Sequence, residues 1–127
     1  MGYSILLVDD SETIRAVLVK TLKMAGLEIN EIFQAENGKQ ALELIDNNWI
    51  DIVFADINMP VMSGIEMVDE MHKNGQIEIT PVVMVSTEGS KQRVDELISK
   101  GVRAFVRKPA TPELFKDVIL DVLGKET

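Results

Sequence analysis

Five residues of this chain carry side chains able to do chemistry together: Asp9, Asp10, Asp56, Ser86 and Lys108. Each follows a short apolar run. Ser4-Ile5-Leu6-Leu7-Val8 stops at Asp9-Asp10, Ile52-Val53-Phe54-Ala55 at Asp56, and Pro81-Val82-Val83-Met84-Val85 at Ser86. Ala104-Phe105-Val106 leads through Arg107 to Lys108 and Pro109. Taken singly each has a bland explanation: a solvated acidic loop, a helix-capping serine, an exposed lysine. Ionised carboxylates are rarely buried without a cation or a hydrogen-bond donor. Three of them at one place repel one another and invite a hard divalent cation, and Mg2+ prefers one or two carboxylates together with waters and phosphate oxygens. A carboxylate is also a nucleophile toward phosphorus, as in aspartyl-phosphate chemistry. A cation, the Ser86 hydroxyl and the Lys108 ammonium could then hold the three equatorial oxygens of a transferring phosphoryl group.

These residues meet only if the elements bring them together. After the first apolar run, Ser11 reads as a helix N-cap, and Ile14, Val17, Leu18 and Leu22 follow at helical spacing to about Ala25, with Gly26 closing. Glu31 to Ala35 reads as a shorter strand, and Asn37-Gly38 opens a second helix carrying Ala41, Leu42 and Ile45. The turn Pro60–Ser63 leads into a third helix with Ile65, Val68 and Met71, ending near Asn74-Gly75. Val94, Leu97 and Ile98 mark a fourth helix, closed by Gly101. Thr111-Pro112-Glu113 starts the last one with a capping hydroxyl, a proline in its first turn and an acid, and Gly124 stands at its end. Five strands alternate with five helices, and the strands are apolar runs with no polar alternation. That pattern predicts an α/β fold with a parallel sheet covered on both faces. Ligands of such sheets bind outside the carboxyl ends of the strands. Four of the five strands deliver their polar residue to that edge.

The composition excludes several classes. The 127 residues suit one domain with one core. Asp and Glu number 21 against 13 Lys and Arg, a formal charge of −8, which argues against nucleic acid or an anionic membrane as direct partner. No cysteine is present, so disulfides, thiolate metal sites and cysteine nucleophiles are excluded. Neither a signal peptide nor a membrane-length apolar span is legible, and a soluble cytoplasmic chain is the expectation.

Together these motifs resemble the response-regulator receiver domains of two-component signalling. The resemblance covers Ile5 to Leu123 and rests on Val8-Asp9-Asp10, on Asp56 with Met59-Pro60 and Gly64 after it, on Ser86, and on Lys108-Pro109. It implies a single receiver domain over 1–127 with a (βα)5 fold and strand order 2-1-3-4-5. It implies that Asp56 is phosphorylated by a histidine kinase, and that Mg2+ is held by Asp10, Asp56 and the Asn58 backbone carbonyl, with Asp9 acting through water. Ser86 would be the switch hydroxyl and Lys108 its cationic partner, preceding a cis Lys108–Pro109 bond. Phe105 sits at the family's switch aromatic, although a core aromatic on strand five explains it equally well.

Only Lys125-Glu126-Thr127 follow the last helix. Output is therefore expected through a downstream target protein that binds the receiver itself, the receiver being a monomer. The chemotaxis CheY-like group fits best, and its target would be a flagellar motor switch. Asn58 and Glu88 match that group's residues tuning phosphoryl lifetime, whereas Ile57 and Phe105 replace its usual tryptophan and tyrosine. Lys91, Arg93 and Lys116 either rim an output face or are solvated helix charges. A phosphorelay shuttle is the alternative within the family. Outside it stand a haloacid-dehalogenase-like phosphatase, whose nucleophile would follow the first strand, and a flavodoxin, whose phosphate loop is absent. Gly-x-Gly-x-x-Gly and Walker spacings do not occur. His72 reads as a surface residue, the seven methionines as core filler, and Trp49 as part of a loop away from the acidic edge.

Overall fold

Leu6 and Val8 point to one side of the first strand and Ile5 and Leu7 to the other, and all four are buried. A strand that is apolar on both faces needs a cover on both, and the chain supplies it. The computed structural model of the chain describes residues 2–87 and 89–124. Its strands are β1 (Tyr3–Val8), β2 (Ile29–Ala35), β3 (Ile52–Ala55), β4 (Val82–Ser86) and β5 (Ala104–Arg107). They form one sheet in the order β2-β1-β3-β4-β5, every pairing parallel. The helices are α1 (Glu12–Lys23), α2 (Gly38–Asn47), α3 (Gly64–Lys73), α4 (Gln76–Ile79), α5 (Lys91–Ser99) and α6 (Pro112–Val122). On one face, Leu18 and Leu22 of α1 and Phe115 and Ile119 of α6 pack on Ile5, Leu7, Ile52, Phe54, Val83 and Val85. The Phe54 and Phe115 rings meet edge to face, centroids 4.9 Å apart. On the other face, Ala41 and Ile45 of α2, Met67, Val68 and Met71 of α3 and Leu97 of α5 cover Leu6, Val53, Ala55 and Met84.

Side-chain caps start five of the helices, two of them at Ser11 and Thr111 as the sequence marks them. Ser11, Asn37, Ser63, Ser90 and Thr111 each accept a hydrogen bond from a backbone N–H of the first turn, and Ser63 with Glu66 forms a capping box. Three features differ from the sequence expectation. A sixth helix, α4, makes a single turn after Gly75 and buries Ile77, and four residues are too few to show a helical period. Strand β2 begins at Ile29, two residues before Glu31, because Ile29 pairs with Tyr3 across an irregular register. On α1 the buried residues are Arg15, Leu18 and Leu22, whereas Ile14 and Val17 are exposed beside an apolar hollow of about 350 Å3 that also touches Pro109 and Ala110. Among the described residues no helix is long and apolar enough to cross a membrane.

Candidate functional site

The sheet order reverses between β1 and β3, and at that switch point the carboxyl ends of the two strands open a crevice. Their register sets what stands there. Val8 pairs with Ala55, so the next residue of each strand is an aspartate, and the Asp56 N–H donates to the Val8 carbonyl at 2.9 Å. Asp9, Asp10 and Asp56 each offer a carboxylate oxygen within 4.8 Å of the others'. Repulsion among three charges at that range needs compensation. Lys108, delivered by the end of β5, supplies it: its ammonium lies 2.7 Å from Asp9 Oδ2 and 3.4 Å from Asp56 Oδ2. The lysine side chain is only 13 % exposed, so the contact with Asp9 is a largely dry, charge-assisted hydrogen bond. The Lys108–Pro109 bond is cis.

The three acids differ in how tightly they are held. Asp9, 1 % exposed, has every polar group engaged. Its N–H donates to the Ala35 carbonyl, its Oδ1 accepts from the Ser11 N–H, its Oδ2 accepts from Lys108, and its own carbonyl accepts from Arg15 Nη1 at 2.6 Å. Asp56 is half-buried, with Oδ1 accepting from the Ile57 N–H at 2.7 Å. Asp10 is exposed and faces solvent. This graded set fits a small hard cation: two acids are positioned by the protein and the third is open to water, while oxygen is the only ligand type present.

Ser86 is buried at the end of β4, and its carbonyl accepts from the Lys108 N–H at 3.2 Å, which ties the β4 and β5 termini together. Phe105 is half-buried and its ring lies against Gly89, in the loop between β4 and α5, so closely that a Cβ there would come within 2.8 Å of it. Arg107 Nη2 donates to the Gly89 carbonyl at 2.9 Å and fastens the same loop to β5. Asn58 is exposed in the loop after Asp56. Glu88 lies outside the described residues. Trp49 is exposed near the opposite end of the sheet and donates to Asp51 Oδ1.

The structure adds a packing role for Gly64 and a contributor, Arg15, that the sequence does not single out. Gly64 approaches the Asp56 carbonyl so closely that no Cβ fits between them, and its N–H donates to the Ile57 carbonyl at 2.8 Å. Its place after Met59-Pro60 marked it only as part of a motif. Arg15 sits beneath the Asp9-Asp10 step, and its one sequence signal is its spacing of three and seven from Leu18 and Leu22.

Residues 5–120 match the response regulator receiver domain family, and the chain belongs to that family as a CheY-like receiver domain. It is 36% identical over 121 residues to a chemotaxis protein CheY homolog of Campylobacter jejuni, covering 94% of this chain and 92% of that protein. It is 35% identical over 121 residues to chemotaxis protein CheY1 of Helicobacter pylori, covering 94% and 96%. Among solved structures it superposes on Vibrio cholerae CheY4 with a TM-score of 0.82 at 33% identity, covering 97% of this chain and all of that one. The CheY chain of a CheX-CheY-BeF3-Mg+2 complex from Borrelia burgdorferi gives 0.82 at 29% identity, covering 94% and 88%. The expected fold and strand order hold, and the phosphatase and flavodoxin alternatives fall away.

Proposed function

We propose that this chain accepts a phosphoryl group from a histidine kinase on Asp56 and signals by binding a target protein, in the cytoplasm and in the control of chemotaxis. The observation that carries the proposal is the arrangement at the crevice: Asp56 stands beside two further acids, with the Lys108 ammonium 3.4 Å from its Oδ2, at the switch point of the sheet. The named relatives, chemotaxis proteins of similar length, support the physiological part.

In the step itself an Asp56 carboxylate oxygen forms a bond to phosphorus. The bond from phosphorus to the kinase imidazole nitrogen breaks, and its electron pair stays on that nitrogen. Lys108 already donates toward Asp56, so the same ammonium can hold an incoming phosphoryl oxygen without reorganising. Ser86 offers a hydroxyl at the end of the adjacent strand for a second oxygen. Asp10, Asp56 and the Asn58 carbonyl would hold Mg2+, with Asp9 acting through water; bound there, the ion supplies positive charge against the phosphoryl oxygens. The chain's own residues thus catalyse transfer to themselves, and the water reaching exposed Asp10 and Asn58 gives autodephosphorylation a route. Asn58 and Glu88 are the proposed tuners of that lifetime.

A phosphoryl group adds about −1.5 to −2 charges and three acceptors. Ser86 turning toward them would draw Thr87 and the following loop away from Phe105, which rests on Gly89. Phe105 could then turn inward and change the face formed by α5, β5 and α6. Exposed Lys91 and Lys116 and half-buried Arg93 rim that face, suiting an acidic or amphipathic segment of the target, for which the flagellar motor switch is the proposed case. A target must bind the phosphorylated form more tightly to read the change.

Incubation with acetyl phosphate and Mg2+, followed by intact-mass measurement, tests the chemistry. One phosphoryl group is expected, labile to hydroxylamine and absent from Asp56→Asn. A label that survives in that variant places the nucleophile elsewhere.

A further inference from the structure

Arg15 is a buried cation that the proposed chemistry leaves without a task. It lies on the core-facing side of α1, only 8 % exposed, where the pattern of the helix calls for an apolar residue. Arginine is seldom so buried unless its donors are satisfied. Here they diverge: Nη1 donates to the Asp9 carbonyl at 2.6 Å, and Nε donates to Gln34 Oε1 on β2 at 3.1 Å.

We propose that Arg15 is a positioning residue for the cation-binding acids, acting through the Asp9–Asp10 peptide. The inference rests on the Mg2+ role proposed for Asp10. That peptide is the hinge between a strand and a helix cap. On its N-terminal side the Asp9 side chain is clamped by Ser11 and Lys108. Asp10 is exposed, so its carboxylate takes its place from the backbone. The Asp9 carbonyl belongs to the same rigid plane as the Asp10 nitrogen, so holding one fixes where the Asp10 Cα emerges. The planar guanidinium suits the task because it spans two acceptors at once, one just past the end of β1 and one on β2, whereas one lysine ammonium on a flexible stem holds a single direction poorly. Gln34 fixes the guanidinium in turn and anchors it to the edge strand. This is the outer-shell arrangement that orients metal ligands elsewhere.

A purely electrostatic role predicts the opposite sign. If Arg15 acted only as a charge near the acids, its removal would tighten cation binding. If it positions them, removal weakens binding although a repelling charge is gone.

The test measures Mg2+ affinity of the full chain without phosphodonor, by titration of the Asp10 and Asp56 amide resonances. Arg15→Ala is expected to weaken Mg2+ binding roughly tenfold, the lower end for outer-shell substitutions. Arg15→Lys, which keeps the charge but gathers its donors on one nitrogen, should recover part of the loss, and Gln34→Ala should show a smaller loss. Acetyl phosphate labelling should slow in Arg15→Ala at limiting Mg2+ and return toward the wild-type rate at saturating Mg2+, a recovery that a general folding defect would not show. Unchanged or tighter Mg2+ binding in a folded Arg15→Ala protein overturns the proposal. If that variant does not fold, unchanged affinity in both Arg15→Lys and Gln34→Ala overturns it. A wild-type chain whose amides ignore Mg2+ overturns instead the cation-binding role on which the inference rests.

Discussion

Replacing Lys108 by methionine isolates the ammonium, because methionine keeps an aliphatic stem along the hollow beside Ile14 and Val17. The lost contacts are 2.7 Å to Asp9 and 3.4 Å to Asp56. With an effective dielectric of about 20 each is worth roughly 5–6 kcal/mol before desolvation is charged against it. Removing one partner of a buried pair costs about 3–5 kcal/mol, because the other charge stays behind. Asp9 is fully buried, but the crevice is open at Asp10, so water screens part of the field and the low end applies, about 3 kcal/mol. For a domain of this size that lowers the melting temperature by about 10 °C. Circular dichroism melts in chelator should show this loss at low ionic strength. Saturating Mg2+ should stabilise Lys108→Met more than the wild type, since a divalent cation then supplies the only compensation. Equal melting temperatures in chelator, or an equal Mg2+ gain in both proteins, would show that the ammonium does not hold the acids together.

Other outcomes follow from single contacts. Val61, 76 % exposed, adopts φ 67°, a left-handed conformation costing a β-branched residue about 1–2 kcal/mol; Val61→Asn should recover about 1 kcal/mol, read as a higher urea midpoint, and a lower midpoint would refute the strain. Gly64→Ala should cost roughly 1–3 kcal/mol in the same assay and slow labelling of Asp56, since its Cβ displaces the Asp56 carbonyl; full labelling at wild-type stability would contradict the packing. The Lys100 ammonium is held above its ordinary value by its hydrogen bond to Asp69, at 2.7 Å, so the link from α5 to α3 stabilises the fold below the usual lysine range and is lost as pH rises through the raised value. Asp69→Asn should therefore cost up to about 1 kcal/mol at pH 8, and the gap from wild type should close in strongly alkaline solution.

How much of this was legible depended on burial. Strands β1, β3 and β4 lie inside the sheet with both faces covered, so their sequences are unbroken apolar runs and their ends could be placed from the sequence. Strand β2 is an edge whose Asn30, Glu31 and Gln34 are exposed, so no apolar run marks its first two residues, Ile29 and Asn30. The caps at Ser11 and Thr111 were legible because a serine or threonine before an amphipathic run does the same local task in any fold; those at Asn37, Ser63 and Ser90 emerge only with the structure. The orientation of α1 was not. Ile14 and Val17 looked like core by their spacing, but the helix is turned so that Arg15 reaches the Asp9 carbonyl, and a hydrogen bond to a backbone atom of another element leaves no trace in hydrophobic periodicity.

The site and the core are one design problem in this fold. Asp9 and Asp56 are neighbours because Val8 and Ala55 are paired, and that pairing is set by which residues of β1 and β3 face α1 and α6 and which face α2 and α3. A slip of one residue would turn Ile5 and Leu7 to the other face and move one carboxylate along the strand and away from the other. The apolar side chains therefore fix the spacing of the charged ones before any ligand arrives. Lys108 reaches the same crevice through two further parallel pairings, β3 with β4 and β4 with β5, so three acids and their cation inherit their distances from the registers of four strands. A site assembled in this way holds charges that repel at close range because the sheet, with more than two dozen buried apolar side chains behind it, outweighs the repulsion.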